Sequence, residues 1–129
     1  MEKKCGRAKK KFEGAGSMKR ITVIVNPENK KALESIFDEY EVGGVTISNV
    51  QGYGNQKGIT AKFRGADMKI NYIGKLQAET VVPDDKVESI IEDILDEIQT
   101  GKIGDGKIFI SEMIDVVRIR TGERGDAAL

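Results

Sequence analysis

Apolar positions along the chain follow two periods, and where the period changes the elements change. Arg20–Val25 (RITVIV) is rich in β-branched residues and predicts a strand. Ala32, Leu33, Ile36, Phe37 and Tyr40 then recur at helical spacing, so residues 27–40 read as an amphipathic helix. Asn26 supplies its N-cap, Pro27 its first helical position, and Gly43-Gly44 its stop. Val45–Val50 alternates as a second strand. Residues 51–74 are low in apolar content and read as one long loop, of a length usually functional or mobile. Lys75–Val82 is a third strand. Pro83-Asp84-Asp85 has helix-start chemistry, and Val87, Ile90, Ile91, Ile94, Leu95 and Ile98 define a second amphipathic helix to Gln99. Ile108–Arg120 is apolar enough for a fourth strand with a break around Glu112, before a polar tail, Thr121–Leu129.

The order β-α-β-loop-β-α-β repeats one βαβ unit. It predicts an α+β, ferredoxin-like fold: two helices on one face of a four-stranded antiparallel sheet. The other face stays uncovered, and apolar residues there would make oligomerisation the natural remedy.

Composition narrows this. The 129 residues suit one core. The net charge of zero is uneven: Met1–Ser17 holds six basic residues against two acidic ones, near +4, which leaves the remainder near −4. That segment ends in Gly14-Ala-Gly-Ser17 ahead of a second methionine, Met18, and reads as a basic tag or disordered extension before a domain over 18–129. Cys5 is the only cysteine and there is no histidine, so intrachain disulfides, Ser-His or Cys-His catalysis and histidine metal sites are excluded. No apolar run has signal-peptide or membrane-spanning length, and the expected location is cytoplasmic.

Candidate chemistry concentrates in Thr100–Lys107 (TGKIGDGK), between the second helix and the fourth strand. Glycines let a backbone approach a ligand, and successive N–H groups with flanking lysines form an anion cradle. The loop nearly matches a Walker A motif, but Ile108 stands where Ser or Thr should hold Mg²⁺, and it runs from helix into strand. A P-loop is therefore excluded, although such a turn also needs no ligand at all. Gly52-Tyr-Gly-Asn-Gln-Lys-Gly58 approaches a dinucleotide fingerprint, but its last glycine falls one place late and no helix follows.

Three segments together, Gly52–Gly58, Thr100–Phe109 (TGKIGDGKIF) and Val117–Glu123 (VRIRTGE), resemble signatures of the PII nitrogen-regulatory signal-transduction family. The similarity runs from Met18 to Leu129 and includes Arg64-Gly-Ala and Val81-Val-Pro-Asp-Asp85. The resemblance implies a cytoplasmic homotrimer, not an enzyme, with ATP or ADP in clefts between subunits. With ATP and Mg²⁺ it would also bind 2-oxoglutarate. The long loop, the family's T-loop, would dock on an ammonium channel or a nitrogen-metabolism enzyme.

Position by position, the resemblance puts Lys102, Ile103, Gly104, Asp105, Gly106 and Lys107 around the nucleotide phosphates. Arg118 and Arg120 would reach them across the subunit boundary. Thr46, Gly54, Glu79 and Val81 would line adenine and ribose, beside Asn55 and Gln56. Gln56 would coordinate Mg²⁺, while Gln56, Lys57, Gly58 and Lys75 would hold 2-oxoglutarate, Lys75 at its distal carboxylate. Arg64 would be the residue that enters a channel partner. The chain departs from the family in carrying Met68 where many members have a modified tyrosine and Ala66 where others have a phosphorylated serine. Asn55 replaces a frequent arginine and Gln77 a common lysine. Regulation would then rest on ligands. The alternatives are a slow ATPase, which lacks an evident general base, or an adenylate-only sensor without a 2-oxoglutarate response. A nucleic-acid module is disfavoured by an acidic domain with 5% aromatics and no tryptophan.

Overall fold

The computed structural model describes residues 17–54, 61–63, 66–68 and 71–129. Among these, six strands and two α-helices follow the order β1 (Met18–Val25), α1 (Lys30–Glu39), β2 (Thr46–Gly54), β3 (Ala61–Phe63), β4 (Ala66–Met68), β5 (Asn71–Pro83), α2 (Asp84–Ile98) and β6 (Gly106–Glu112). Short 3₁₀ turns lie at Pro27–Asn29 and Gly125–Ala128. The main sheet runs β2-β5-β1-β6, every neighbour antiparallel, and β3 pairs with β4 as a separate ribbon. This is the ferredoxin-like arrangement, with the first strand in the interior of the sheet.

Alternation decides which face is covered. Ile21, Val23 and Val25 of β1 and Leu76, Ala78 and Val82 of β5 point to the helices and are buried. They meet Leu33, Ile36 and Phe37 of α1 and Val87, Ile90, Ile94 and Ile98 of α2 in one core. Burial of these side chains, roughly 1.5–3 kcal/mol for each one larger than alanine, is what holds the two helices on the sheet. Tyr40 ties the helices at their edge, its hydroxyl donating to Asp93 Oδ2 at 2.6 Å. That bond, more than desolvation, pushes the Tyr40 phenol up to about 12.

The structure differs from the sequence reading in several places. Residues 27–29 form a 3₁₀ turn, so α1 begins at Lys30 and not at Pro27. Asn26 makes no side-chain cap bond. Helix α1 is stopped before Gly43 by Glu41, which takes the left-handed conformation (φ 54°), while Val42 N–H closes the turn on the Phe37 carbonyl. The stretch 51–74 is largely strand: β2 and β5 stay paired from Thr46↔Glu79 out to Gly54↔Asn71, beyond the helices. Finally, β6 ends at Glu112; the apolar stretch beyond it folds instead into a loop closed by a single bridge, Val117↔Arg124. Leu95, expected in the core, is 44% exposed on the outer side of α2.

Candidate functional site

The TGKIGDGK loop is shaped by its own side chains. Gly101, Gly104 and Gly106 all adopt positive φ (82°, 102° and 115°), which L-residues rarely take. Gly106 is the tightest point: a Cβ there would lie 1.9 Å from the Ile24 carbonyl oxygen of β1. The Asp105 carboxylate turns back into the loop. It accepts from the Thr100 amide at 2.8 Å, the Gly101 amide at 2.9 Å and the Thr100 hydroxyl. The Thr100 hydroxyl bond, joined by the amides, holds the Asp105 carboxyl below the usual range. Asp105 therefore builds the loop, and Lys102 and Lys107 stay exposed around it.

Beneath the loop, on the open face of the sheet, Lys75 reaches up from β5. Its Nζ donates to the Gly104 carbonyl at 2.7 Å and to Asn26 Oδ1 at 2.7 Å. The lysine assigned to the carboxylate effector and the loop assigned to phosphate are thus joined in one cluster.

A second cluster lies four residues further along β5. Thr46 and Glu79 face each other in the β2–β5 register, and Glu79 also accepts from the Thr22 hydroxyl at 3.1 Å. With Val81, Arg118, Gly43, Gly44 and Leu129 they line a cleft of roughly 380 Å³. Arg118 Nη1 donates to Glu123 Oε1 at 3.1 Å and Nη2 to the Leu129 carbonyl at 2.9 Å. The Asp115 carboxyl fixes the same C-terminal loop. Desolvation opposes its ionisation, but an Arg124 guanidinium at 2.6 Å and the Val116 and Gly125 amides hold it below the usual range.

Within one chain, then, Arg118 sits with Thr46, Glu79 and Val81, apart from the glycine loop. Arg120, two residues on, is exposed. Gly54 is the last residue of β2, paired with Asn71. Asn55, Gln56, Lys57, Gly58 and Arg64 lie outside the described residues. The sequence reading missed Asn26, Gly43, Gly44 and Leu129 at these clusters. Asn26 looked like a local cap, and nothing in the order of residues links it to Lys75. Among the described residues no group of three Asp, Glu, Cys or His side chains could hold a metal ion, and no helix is long and apolar enough to cross a membrane.

Two clusters thus share one sheet face, a glycine loop over a lysine and an acid–arginine cleft. Residues 18–123 match the family described as nitrogen regulatory protein P-II. The chain belongs to the P-II family. It is 43% identical over 112 residues to nitrogen regulatory protein P-II 1 of Escherichia coli (strain K12), covering 87% of this chain and all of the relative. It is 44% identical over 112 residues to P-II 2 of Methanothermobacter thermautotrophicus, 87% of this chain and 97% of the relative. Among solved structures it is similar to B. subtilis GlnK, with a TM-score of 0.74 at 35% identity over 88% of this chain and 100% of that one. The B. subtilis GlnK–ATP complex gives 0.73 at 34% identity over 89% and 98% of the two chains. Arabidopsis thaliana PII bound to citrate gives 0.70 at 35% identity over 88% and 92%. As a P-II protein, this chain is a nitrogen-regulatory signal transducer by family.

Proposed function

We propose that this P-II protein is a cytoplasmic, non-enzymatic sensor of ATP or ADP and of 2-oxoglutarate, acting as a homotrimer on an ammonium channel or a nitrogen-metabolism enzyme. The observation that carries the reading is the Lys75–Gly104 hydrogen bond, which puts a half-buried ammonium directly under a glycine loop suited to phosphate. The acid–arginine cleft supports it: Thr46, Glu79 and Val81 line one cleft and would meet a base and ribose, while Arg118 would reach phosphate oxygens across the subunit boundary. Two relatives bear on the ligands: one solved neighbour is an ATP complex and another holds citrate, a polycarboxylate. The glycine cradle suits a nucleotide phosphate, since Gly101 and Gly104 carry no side chain and open space lies where a Cβ would stand. Gln56 would add a neutral oxygen to a Mg²⁺ otherwise held by phosphate and effector oxygens, a donor set suited to that hard cation. The ligands would act by shifting the population of T-loop states, by no more than their differential affinity for those states. Arg64 would enter the partner.

Titration calorimetry of 2-oxoglutarate into the full chain tests this, with ATP and Mg²⁺ together and with each left out. Binding that needs both, and that Gln56→Ala abolishes, is the expected result. Nucleotide binding with no 2-oxoglutarate response reduces the protein to an adenylate sensor, and sustained phosphate release over many turnovers would make it an ATPase.

A further inference from the structure

We propose that Asn26 is a positioning residue for the anion site: it holds the Lys75 ammonium against the Gly104 carbonyl with a neutral oxygen, so that the lysine's charge stays available to a carboxylate. The inference rests on the reading of Lys75 as the effector lysine. Asn26 precedes Pro27 at a turn entrance, where an asparagine side chain ordinarily accepts from the amides that follow. It makes no such bond here. The turn is closed by main chain alone, Asn29 N–H to the Asn26 carbonyl at 3.0 Å. The side chain has been diverted across the sheet. The β1–β5 register ends at Val25↔Leu76, and one step further brings Asn26 opposite Lys75.

Asn26 Oδ1 and the Gly104 carbonyl, each 2.7 Å from Nζ, take two of the three ammonium hydrogens. Both are uncharged. The ion pairs among the described residues, Lys19–Asp84, Arg118–Glu123 and Arg124–Asp115, do not include this lysine. Among the described residues, that leaves one hydrogen and the lysine's charge for a ligand to meet. An aspartate at position 26 would preserve the shape and the hydrogen bond but would supply the counter-charge itself, in competition with a dicarboxylate.

Asn26→Ala and Asn26→Asp, made in the full chain, separate these effects. Amide hydrogen exchange over residues 101–107, measured without ligand, is expected to speed up about tenfold in Asn26→Ala, because the hydrogen bond to a charged group that aims Lys75 at Gly104 is gone. In Asn26→Asp that exchange stays within about twofold of wild type, while 2-oxoglutarate binding in ATP and Mg²⁺ weakens at least about tenfold. A purely structural role for Asn26 would not produce that loss, since aspartate accepts the same bond. Unchanged exchange in Asn26→Ala overturns the positioning role, and an unweakened Asn26→Asp overturns the charge argument. A wild-type chain that ignores 2-oxoglutarate, yet whose loop exchange responds to Asn26→Ala, sinks the effector reading and leaves the positioning of Lys75 standing.

Discussion

At the scale of single residues, Gly106 and Asp105 decide whether the loop keeps its shape. Gly106 combines a φ of 115° with a neighbouring carbonyl that would be 1.9 Å from any added Cβ. Gly106→Ala must therefore shift β6 away from β1. The expected loss is on the order of 1–3 kcal/mol, read as a lower urea midpoint. Asp105 acts through charge. Its folded-state carboxyl titrates lower than in the unfolded chain, because the Thr100 hydroxyl and the loop amides favour the anion. Its contribution to the loop is therefore complete above the ordinary aspartate range near pH 4 and is lost as pH falls through the lower folded value. The Thr100 and Gly101 amide resonances should titrate together in that acid window. In Asp105→Asn the same resonances should stay flat with pH.

At the scale of elements, burial separates two leucines that the helical period had grouped alike. Leu33 in α1 is 1% exposed and Leu95 in α2 is 44% exposed. Leu33→Ala should cost about 2–5 kcal/mol in chemical denaturation, and Leu95→Ala less than about 1 kcal/mol. Both helices were readable because each lays one apolar stripe on the sheet, and that stripe repeats every three to four residues. The far ends of β2 and β5 were not readable. Past the helices the ribbon covers no core: Tyr53 and Tyr72 face solvent, 65% and 66% exposed, with ring centroids 5.4 Å apart. A strand pair with no buried face leaves no alternation to detect. The stretch after Glu112 misled in the opposite direction, because Ile114, Val117 and Ile119 are β-branched yet join no ladder of the sheet. Of the site, the glycine loop was legible from its spacing. The Asn26–Lys75 contact was not, since 49 residues separate partners that only the β1–β5 register brings together.

At the scale of the whole molecule, apolar surface remains after the core is made. Phe109 on the open sheet face is 51% exposed, Ile114 59% and Ile119 99%. Isolated exposed apolar residues are ordinary, but these three belong to one run of chain beside the uncovered face. Under the trimer proposed above they become interface. Sedimentation should then give three times the 14.2 kDa chain mass. Ile119→Asp should lower that mass toward the single chain by placing a charge in the contact. A wild-type protein that sediments as a single chain would remove the trimer.

The place of β1 inside the sheet also sets a timetable for synthesis. The strand Met18–Val25 leaves the ribosome before either of its neighbours exists. Met18 must wait for Pro83, 65 residues later, and Lys19 for Glu112, 93 residues later. At about 5–20 residues per second, β1 stays without its last partner for roughly 5–20 s. During that interval an apolar, β-branched segment has open edges on both sides, the condition in which nascent strands pair with the wrong chain. No N-terminal half can fold ahead of the rest, because the interior strand comes first and one of the strands that flank it comes last. Ribosome-stalled chains ending before Gly106 should therefore remain protease-sensitive, and protection should arrive in a single step once β6 has emerged.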